Sequence, residues 1–209
     1  MPPAGYLRAV RELCTRHDVL MICDEIQTGL GRTGRLLACD HEDVRPDGLT
    51  LGKALGGGLL PVSAFLARED VMAVFTPGDH GSTFGGSPLA AAVGDAALRV
   101  LVEEKLAERA AAQGELLMER LAALRHPAIV DVRGKGLLVG VEIDPEFATA
   151  RQVCEGLMEE GVLTKDTHGT VVRLAPPLVI GAREIDETVA ALGRVLARLG
   201  DAGAVNRPA

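Results

Sequence analysis

One lysine stands in an unusual setting in the first third of the chain. Lys53 lies in LTLGKALGGGLLPVSAF, residues 49–65, where it is the one ionisable side chain among apolar residues and three consecutive glycines. The segment is not a phosphate-binding P-loop, because Asp47 and Ala54 stand where that motif needs glycine and serine or threonine. Two interpretations remain: a loop lysine whose ammonium reaches water, or a desolvated, uncharged amine that forms a Schiff base with a carbonyl group.

A carboxylate ends the apolar run that precedes this segment. Asp24 directly follows VLMIC, residues 19–23. Acidic residues at strand ends often cap the next element, so Asp24 alone is a weak signal. A lysine amine with a buried carboxylate is nevertheless the pair that pyridoxal phosphate needs, since the carboxylate keeps the pyridine nitrogen protonated and the ring then accepts electrons.

Alternating helices and strands would position both residues. Apolar spacing predicts a helix over residues 5–17. Residues 19–23 indicate a buried parallel strand, and further strands are predicted at residues 49–51 and 62–67. This alternation is typical of an α/β sheet, in which ligands bind beyond the carboxyl ends of the strands. We therefore expect Asp24 and Lys53 to end adjacent strands.

The second half of the chain has a different pattern. Ser87-Pro88 predicts the start of a helix, and the alternating residues 129–143, with glycines at the bend, predict a strand pair or a long bent strand. Helices and short strands follow. We expect an α/β domain over residues 1–110 and a small α+β domain over residues 111–209.

Composition excludes several classes of function. The net charge is −7, no basic cluster stands apart from acids, and aromatic residues make up 2% of the chain, so nucleic-acid and anionic-membrane partners are disfavoured. The longest uncharged apolar run, residues 54–65, is too short and too broken to span a bilayer. The four cysteines have the spacing of neither a disulfide framework nor a metal site, so we expect no metal and a cytoplasmic location.

Several segments together resemble one enzyme family. LMICDEIQTGLGRTGRLLACD, RPDGLTLGKALGGGLLPVSAFLA and GDHGSTFGGSPLAAAV are similar to consecutive signatures of class III, fold-type I pyridoxal-phosphate aminotransferases. VRGKGLL and THGTVVRLAPPLVI most resemble the ornithine aminotransferases of that class. The resemblance runs from Pro3 to Leu199. It implies the C-terminal part of a large α/β domain with a mostly parallel sheet, followed by a small α+β C-terminal domain.

The resemblance also implies roles for particular residues. Lys53 would form the Schiff base with pyridoxal phosphate and move a proton during transamination, and Asp24 would contact the pyridine nitrogen. Gln27, in the DEIQ segment, would lie beside the phenolic oxygen of the ring. Judged without the family, Gln27 is as well explained as a polar loop residue.

Three further residues match positions that bind cofactor or substrate in the family. Ser82 and Thr83, in HGSTFGG, would hold the cofactor phosphate across a dimer interface, and Arg173, in VVRLAPP, would bind the substrate α-carboxylate. Without the family, Thr83 is typical of a turn and Arg173 of a surface charge. His80 and His168 are interpreted as loop and packing residues.

The implied reaction transfers the δ-amino group of ornithine to a 2-oxo acid, giving glutamate 5-semialdehyde and, from 2-oxoglutarate, glutamate. Another ω-aminotransferase, acting on acetylornithine or 4-aminobutyrate, and a truncated non-catalytic fragment are the alternatives. The matched motifs correspond to the second half of the family, so the ring-stacking aromatic residue and the same-subunit phosphate loop of the family have no counterpart here. A homodimer is expected if the N-terminal half is supplied.

Overall fold

The computed structural model describes residues 1–205, with side chains described to Asp201. It divides into two compact units, one of Pro2–Glu108 and one that begins at Arg109. This division falls two residues before the boundary at residue 110 that the sequence suggested. None of the described helices has the length and apolar character that crossing a membrane requires.

The first unit contains a small mixed sheet with helices around it. In chain order its elements are α1 (Tyr6–Arg16), β1 (Ile22–Asp24), β2 (Gly48–Leu51), β3 (Ala64–Ala67), α2 (Glu69–Met72) and α3 (Pro88–Glu103). The strand order is β1-β2-β3. β1 pairs with β2 in parallel, as an α/β sheet requires, whereas β2 pairs with β3 in the antiparallel direction. α3 begins directly after Ser87 with proline in its first turn, as predicted.

The prediction of a buried strand over residues 19–23 is wrong. The strand begins only at Ile22, and Val19, Leu20 and Ile22 are each about half exposed. β1 is an edge strand of this sheet, and in the described residues nothing pairs with its second edge. A continuous apolar run shows that a segment is suited to burial, but it does not show which element covers it.

Asp47 joins the elements of the first unit. Its side chain is 6% exposed and accepts hydrogen bonds from the Met21 N–H at 2.7 Å and from Arg11 at 2.6 Å, and it also pairs with Arg68. The Met21 N–H, followed by the Arg11 guanidinium, lowers the pKa of the Asp47 carboxyl. One carboxylate thus ties α1, the residue before β1 and the end of β3 together.

The second unit is an antiparallel sheet covered by helices. Its elements are α4 (Leu106–Ala123), which begins in the last three residues of the first unit, β4 (Ile129–Lys135), β5 (Leu138–Ile143), α5 (Ala150–Glu159), β6 (Lys165–Thr167), β7 (Val171–Leu174) and α6 (Ala182–Val205). The strand order is β4-β5-β7-β6. Val139, Val141 and Val172 are buried in one core with residues of all three helices. Strands and helices in this arrangement form the α+β unit that the sequence predicted, and the strand pair around Gly136 is confirmed.

Two glycines allow a close approach in this unit. A Cβ atom at Gly114 of α4 would lie 2.2 Å from the Gly136 carbonyl oxygen, which is inside contact distance. Gly136 lies in the β4–β5 turn with φ of 52°, in the left-handed region that favours glycine. The helix therefore packs directly against the backbone of the turn. α5 begins at a capping box, in which Thr149 and Gln152 exchange side-chain hydrogen bonds to backbone N–H groups.

Candidate active site

Asp24 and Lys53 lie at the carboxyl ends of two adjacent parallel strands. Asp24 is the last residue of β1 and is paired in register with Thr50 of β2. Lys53 follows the end of β2 by two residues and opens a 3₁₀ turn that runs to Gly56. The expected placement on adjacent strands is therefore present. This is the edge at which ligands bind in α/β sheets.

The Asp24 carboxylate is held by short-range hydrogen bonds. Its Oδ1 atom accepts from the Ile26 N–H at 3.0 Å and from the Thr50 hydroxyl at 3.2 Å. No helix directly follows β1, so Asp24 does not cap one; its contact with Ile26 is a local hydrogen bond within the turn after the strand, while the contact with Thr50 fixes the carboxylate across the strand pair. In residues 1–205 no group hydrogen-bonds Oδ2, and the side chain is exposed. One oxygen is thus anchored and the other faces outward.

Glu25, which the sequence analysis did not select, organises the loop after β1. It is 3% exposed and accepts hydrogen bonds from the Cys39 N–H at 2.8 Å and from the Thr28 hydroxyl. Burial, with Glu25 beside it, raises the pKa of the Cys39 thiol to about 12, so this thiol is unreactive. The sequence held one signal for the burial of Glu25. Successive side chains of a strand point to opposite faces, so Glu25 points to the face opposite that of Asp24.

Lys53 differs from the desolvated amine that the sequence suggested. Its side chain is exposed, and no hydrogen bond or ion pair to its amine occurs among the described residues. The desolvated-amine interpretation requires a buried Lys53, and the residues of this unit alone do not bury it. The backbone at Lys53 has φ of 45°, a left-handed conformation that is rare for a residue with a side chain and is found mostly where the surrounding structure imposes it.

Lys53 lines an open cavity of about 720 Å³ in the first unit. The walls come from the end of β2, the segment after the three glycines, and the loop that leads into α3. The residues that contribute to these walls include Gly52, Lys53, Ser63, Ser82, Phe84 and Ser87. Ile26 also lines the cavity, whereas its neighbours Asp24 and Gln27 do not. The structure therefore brings Lys53 and Ser82 to one cavity, whereas Gln27 is exposed and does not line it.

The loop before α3 presents two free hydroxyl groups. Ser82 and Thr83 are exposed, and their side chains make no hydrogen bond within residues 1–205. The Ser82 carbonyl accepts from the Gly85 N–H at 3.1 Å, which closes a turn here. Thr83 does not line the cavity. The His80 ring lies tilted at 59° to the Phe75 ring with the centroids 6.4 Å apart, consistent with a loop residue.

Arg173 belongs to the second unit, in the middle of β7. It is half-buried, and its carbonyl oxygen accepts a hydrogen bond from the Thr164 hydroxyl at 2.6 Å. No carboxylate pairs with its guanidinium in the part of the chain that the structure describes. His168 lies in the β6–β7 turn with φ of 53°. Arg173 is therefore a cation without a counter-ion in its own unit.

The donor set fits pyridoxal phosphate. The first unit offers an unpaired primary amine beside a cavity, a carboxylate with one free oxygen at the next strand end, and free hydroxyls on a glycine-rich loop. These are the groups that an aldehyde, a pyridine nitrogen and a phosphate require. Residues 1–205 contain no group of three His, Cys, Asp or Glu side chains arranged to hold a metal ion.

Comparison with known proteins agrees with this chemistry. The model of the family "Aminotransferase class-III" matches residues 1–196. Ornithine aminotransferase 2 of Staphylococcus saprophyticus is 54% identical over 186 residues, which are 89% of this chain and 46% of that protein. The chain thus spans about half the length of the curated relatives it matches.

Two solved structures extend the comparison. The ornithine aminotransferase of Plasmodium yoelii superposes with a TM-score of 0.92 at 43% identity, over 95% of this chain and 53% of that one. The acetylornithine aminotransferase of Elizabethkingia anophelis gives a TM-score of 0.89 at 50% identity, over 95% of this chain and 50% of that one. Enzymes of this class use pyridoxal phosphate. The chain belongs to the class III aminotransferase family.

Proposed function

We propose that this chain provides the reactive lysine and a substrate-binding arginine of an ornithine aminotransferase. The reaction would transfer the δ-amino group of ornithine to 2-oxoglutarate, giving glutamate 5-semialdehyde and glutamate. The observation that carries the proposal is the parallel pairing of β1 and β2, which brings Asp24 and Lys53 to adjacent strand ends. The names of the similar proteins from Staphylococcus saprophyticus and Plasmodium yoelii support ornithine as the donor.

Each residue would have a separate task. The Lys53 amine would hold the cofactor through its aldehyde carbon and would carry the proton to and from the substrate carbon. Asp24 would hold a proton on the pyridine nitrogen through its free oxygen, and Gln27 would donate its amide N–H to the phenolic oxygen. When bound, pyridoxal phosphate stores the amino group between the two substrates and accepts the electrons released at the substrate carbon.

The remaining residues would bind the charged ends of the ligands. The Ser82 and Thr83 hydroxyls would donate hydrogen bonds to the phosphate of a cofactor bound by a partner subunit. The Arg173 guanidinium would bind a substrate carboxylate through its planar fork. Because Lys53 is exposed here, we infer that a complete site also needs further polypeptide of the kind that the relatives have, and a second subunit. Four free cysteines fit a cytoplasmic location.

An acetylornithine aminotransferase is the second candidate. The Elizabethkingia enzyme is 50% identical to this chain, somewhat above the 43% of the Plasmodium ornithine enzyme. A 4-aminobutyrate enzyme and a non-catalytic fragment are further alternatives. The donors can be separated by incubating the protein with ornithine, acetylornithine or 4-aminobutyrate and 2-oxoglutarate, and measuring the glutamate formed.

Borohydride trapping tests the role of Lys53 directly. The chain has four lysines, Lys53, Lys105, Lys135 and Lys165, so a labelled peptide identifies its site without ambiguity. We expect pyridoxal phosphate and borohydride to label the Lys53 peptide in preference to the peptides of the other three lysines. Lys53→Ala should lose this label, and Lys105→Ala should keep it. A folded sample without label on Lys53 would contradict cofactor binding by the chain alone.

A further inference from the structure

Four residues form a row across the sheet of the second unit. Arg133 of β4 is paired with Gly140 of β5, Gly140 with Arg173 of β7, and Arg173 with Lys165 of β6. Residues that are directly opposite each other in antiparallel strands project from the same face. Three cationic side chains, with one glycine among them, therefore share one face of the sheet, on which Asp131 and Glu142 lie beside Arg133. We call these four residues the basic row.

The charges of the basic row are not equally compensated. Arg133 pairs with Asp131 at 2.7 Å and also with Glu142. Neither Arg173 nor Lys165 has a carboxylate partner in the described part of the chain. Like charges directly opposite each other destabilise a strand pair. The pair Arg173–Lys165 is thus a local excess of positive charge for which this unit provides no counter-ion.

A side-chain hydrogen bond and the strand pairing hold this like-charged pair side by side. The Thr164 hydroxyl donates to the Arg173 carbonyl at 2.6 Å, directly beside Lys165. On the other side of Arg173, Gly140 places no side chain between it and Arg133. Opposite residues in such strands have Cβ atoms about 4.5–5.5 Å apart. Both long side chains can therefore reach a single anion.

We propose that Lys165 is a second carboxylate-binding residue, which holds a substrate carboxylate together with Arg173. The arginine would contribute the planar fork and the lysine a compact charge, so the two would contact different lone pairs of the carboxylate. The inference rests on the proposed function, in which Arg173 binds this group. It adds a residue that neither the motifs nor the family resemblance identified.

Carboxylate binding to the cofactor-free chain tests this inference. The probe is glutarate at low salt, with propionate, sulfate and chloride as comparison anions. NMR can follow the Arg173 Nε–H and Lys165 Nζ signals, and the small number of lysines makes assignment by substitution direct. We expect Lys165→Gln to weaken glutarate binding about tenfold, the loss expected for one hydrogen bond to a charged group. Lys165→Arg should restore most of the affinity.

The control is Lys105→Gln, which removes an exposed lysine from the first unit and should leave the affinity unchanged. If Lys165→Gln binds glutarate as the original chain does, while Arg173→Gln does not, Lys165 has no role in binding. If sulfate or chloride binds as tightly as glutarate, the basic row is a general anion surface, and the inference is wrong. Either result leaves the Lys53 labelling experiment intact, so the two proposals can fail separately.

Discussion

The two units of the chain differ in how completely their sheets are covered. In the second unit, residues such as Val141, Leu157 and Leu192 are fully buried in one continuous core. In the first unit, Val19, Leu20 and Ile22 near β1 and Leu66 of β3 remain about half exposed. Most of the exposed large apolar side chains belong to the first unit. The same unit carries Asp24, Lys53 and the hydroxyls of Ser82 and Thr83.

This contrast shows that Asp24 and Lys53 lie in the unit whose sheet is less completely covered. Extensive exposed apolar surface usually marks a place where another surface binds. The relatives that this chain matches are about twice as long. The first unit therefore leaves a sheet edge and the Lys53 side chain exposed, whereas the second unit contains its own core.

We expect the two units to differ most in the stability they lose when a leucine side chain is shortened to alanine. Leu157→Ala, at a position that is 0% exposed, should reduce the free energy of unfolding by about 2–5 kcal/mol, because it leaves a cavity in the core. Leu20→Ala, at a position that is 51% exposed, should change it by less than about 0.5 kcal/mol. Urea unfolding of both variants measures this. Equal losses would mean that the first unit is as well packed as the second.

A smaller effect is expected from the buried carboxylate of the first unit. Asp47→Asn should destabilise this unit by about 1–3 kcal/mol at pH 7, because Arg11 and Arg68 lose their charged partner. Since folding lowers the pKa of Asp47, its contribution is present above the unfolded pKa of about 3.9 and is lost as the pH falls through the lower folded value.

The difference in unfolding free energy between the original chain and Asp47→Asn should therefore shrink below about pH 4. Denaturant unfolding at pH 7, 5 and 3 provides the measurement. Asp95→Asn is the control, since Arg99, on the exposed surface of α3, is the ion-pair partner of Asp95 among the described residues. A pH-independent difference would show that the charge of Asp47 is not what holds the elements together.

A substitution in the edge strand β1 should have the smallest effect on stability but a clear effect on self-association. Ile22→Lys should leave the unfolding midpoint nearly unchanged, because the side chain is already 56% exposed. It should reduce self-association in sedimentation experiments, since lysine on an edge strand opposes pairing with other chains. Met158→Lys, at an exposed position of α5, should leave association as it was. Equal effects of both substitutions would indicate a general charge effect.

Local sequence patterns predicted where helices and strands form better than they predicted what surrounds each of them. Helical spacing and the Ser87-Pro88 start located α1 and α3, and alternation with glycines located β4 and β5. The antiparallel direction of β3 was not visible, because a short strand has the same pattern in either direction. Glu25 and Asp47 were not recognised as buried, because an acid is buried only when specific partners surround it, and those partners are distant in the sequence.

The sequence by itself determined the family and the chemical groups available to the site. The amine of Lys53, the carboxylate of Asp24 and the guanidinium of Arg173 follow from residue type and from motifs whose order along the chain is specific. Only the tertiary structure decided which of these groups are neighbours. Pairing of Asp24 with Thr50 and of Lys165 with Arg173 depends on strand register. Register is set by packing and long-range hydrogen bonds. A sequence pattern gives the spacing of apolar residues along one strand, but it does not show which residue lies opposite on the next strand.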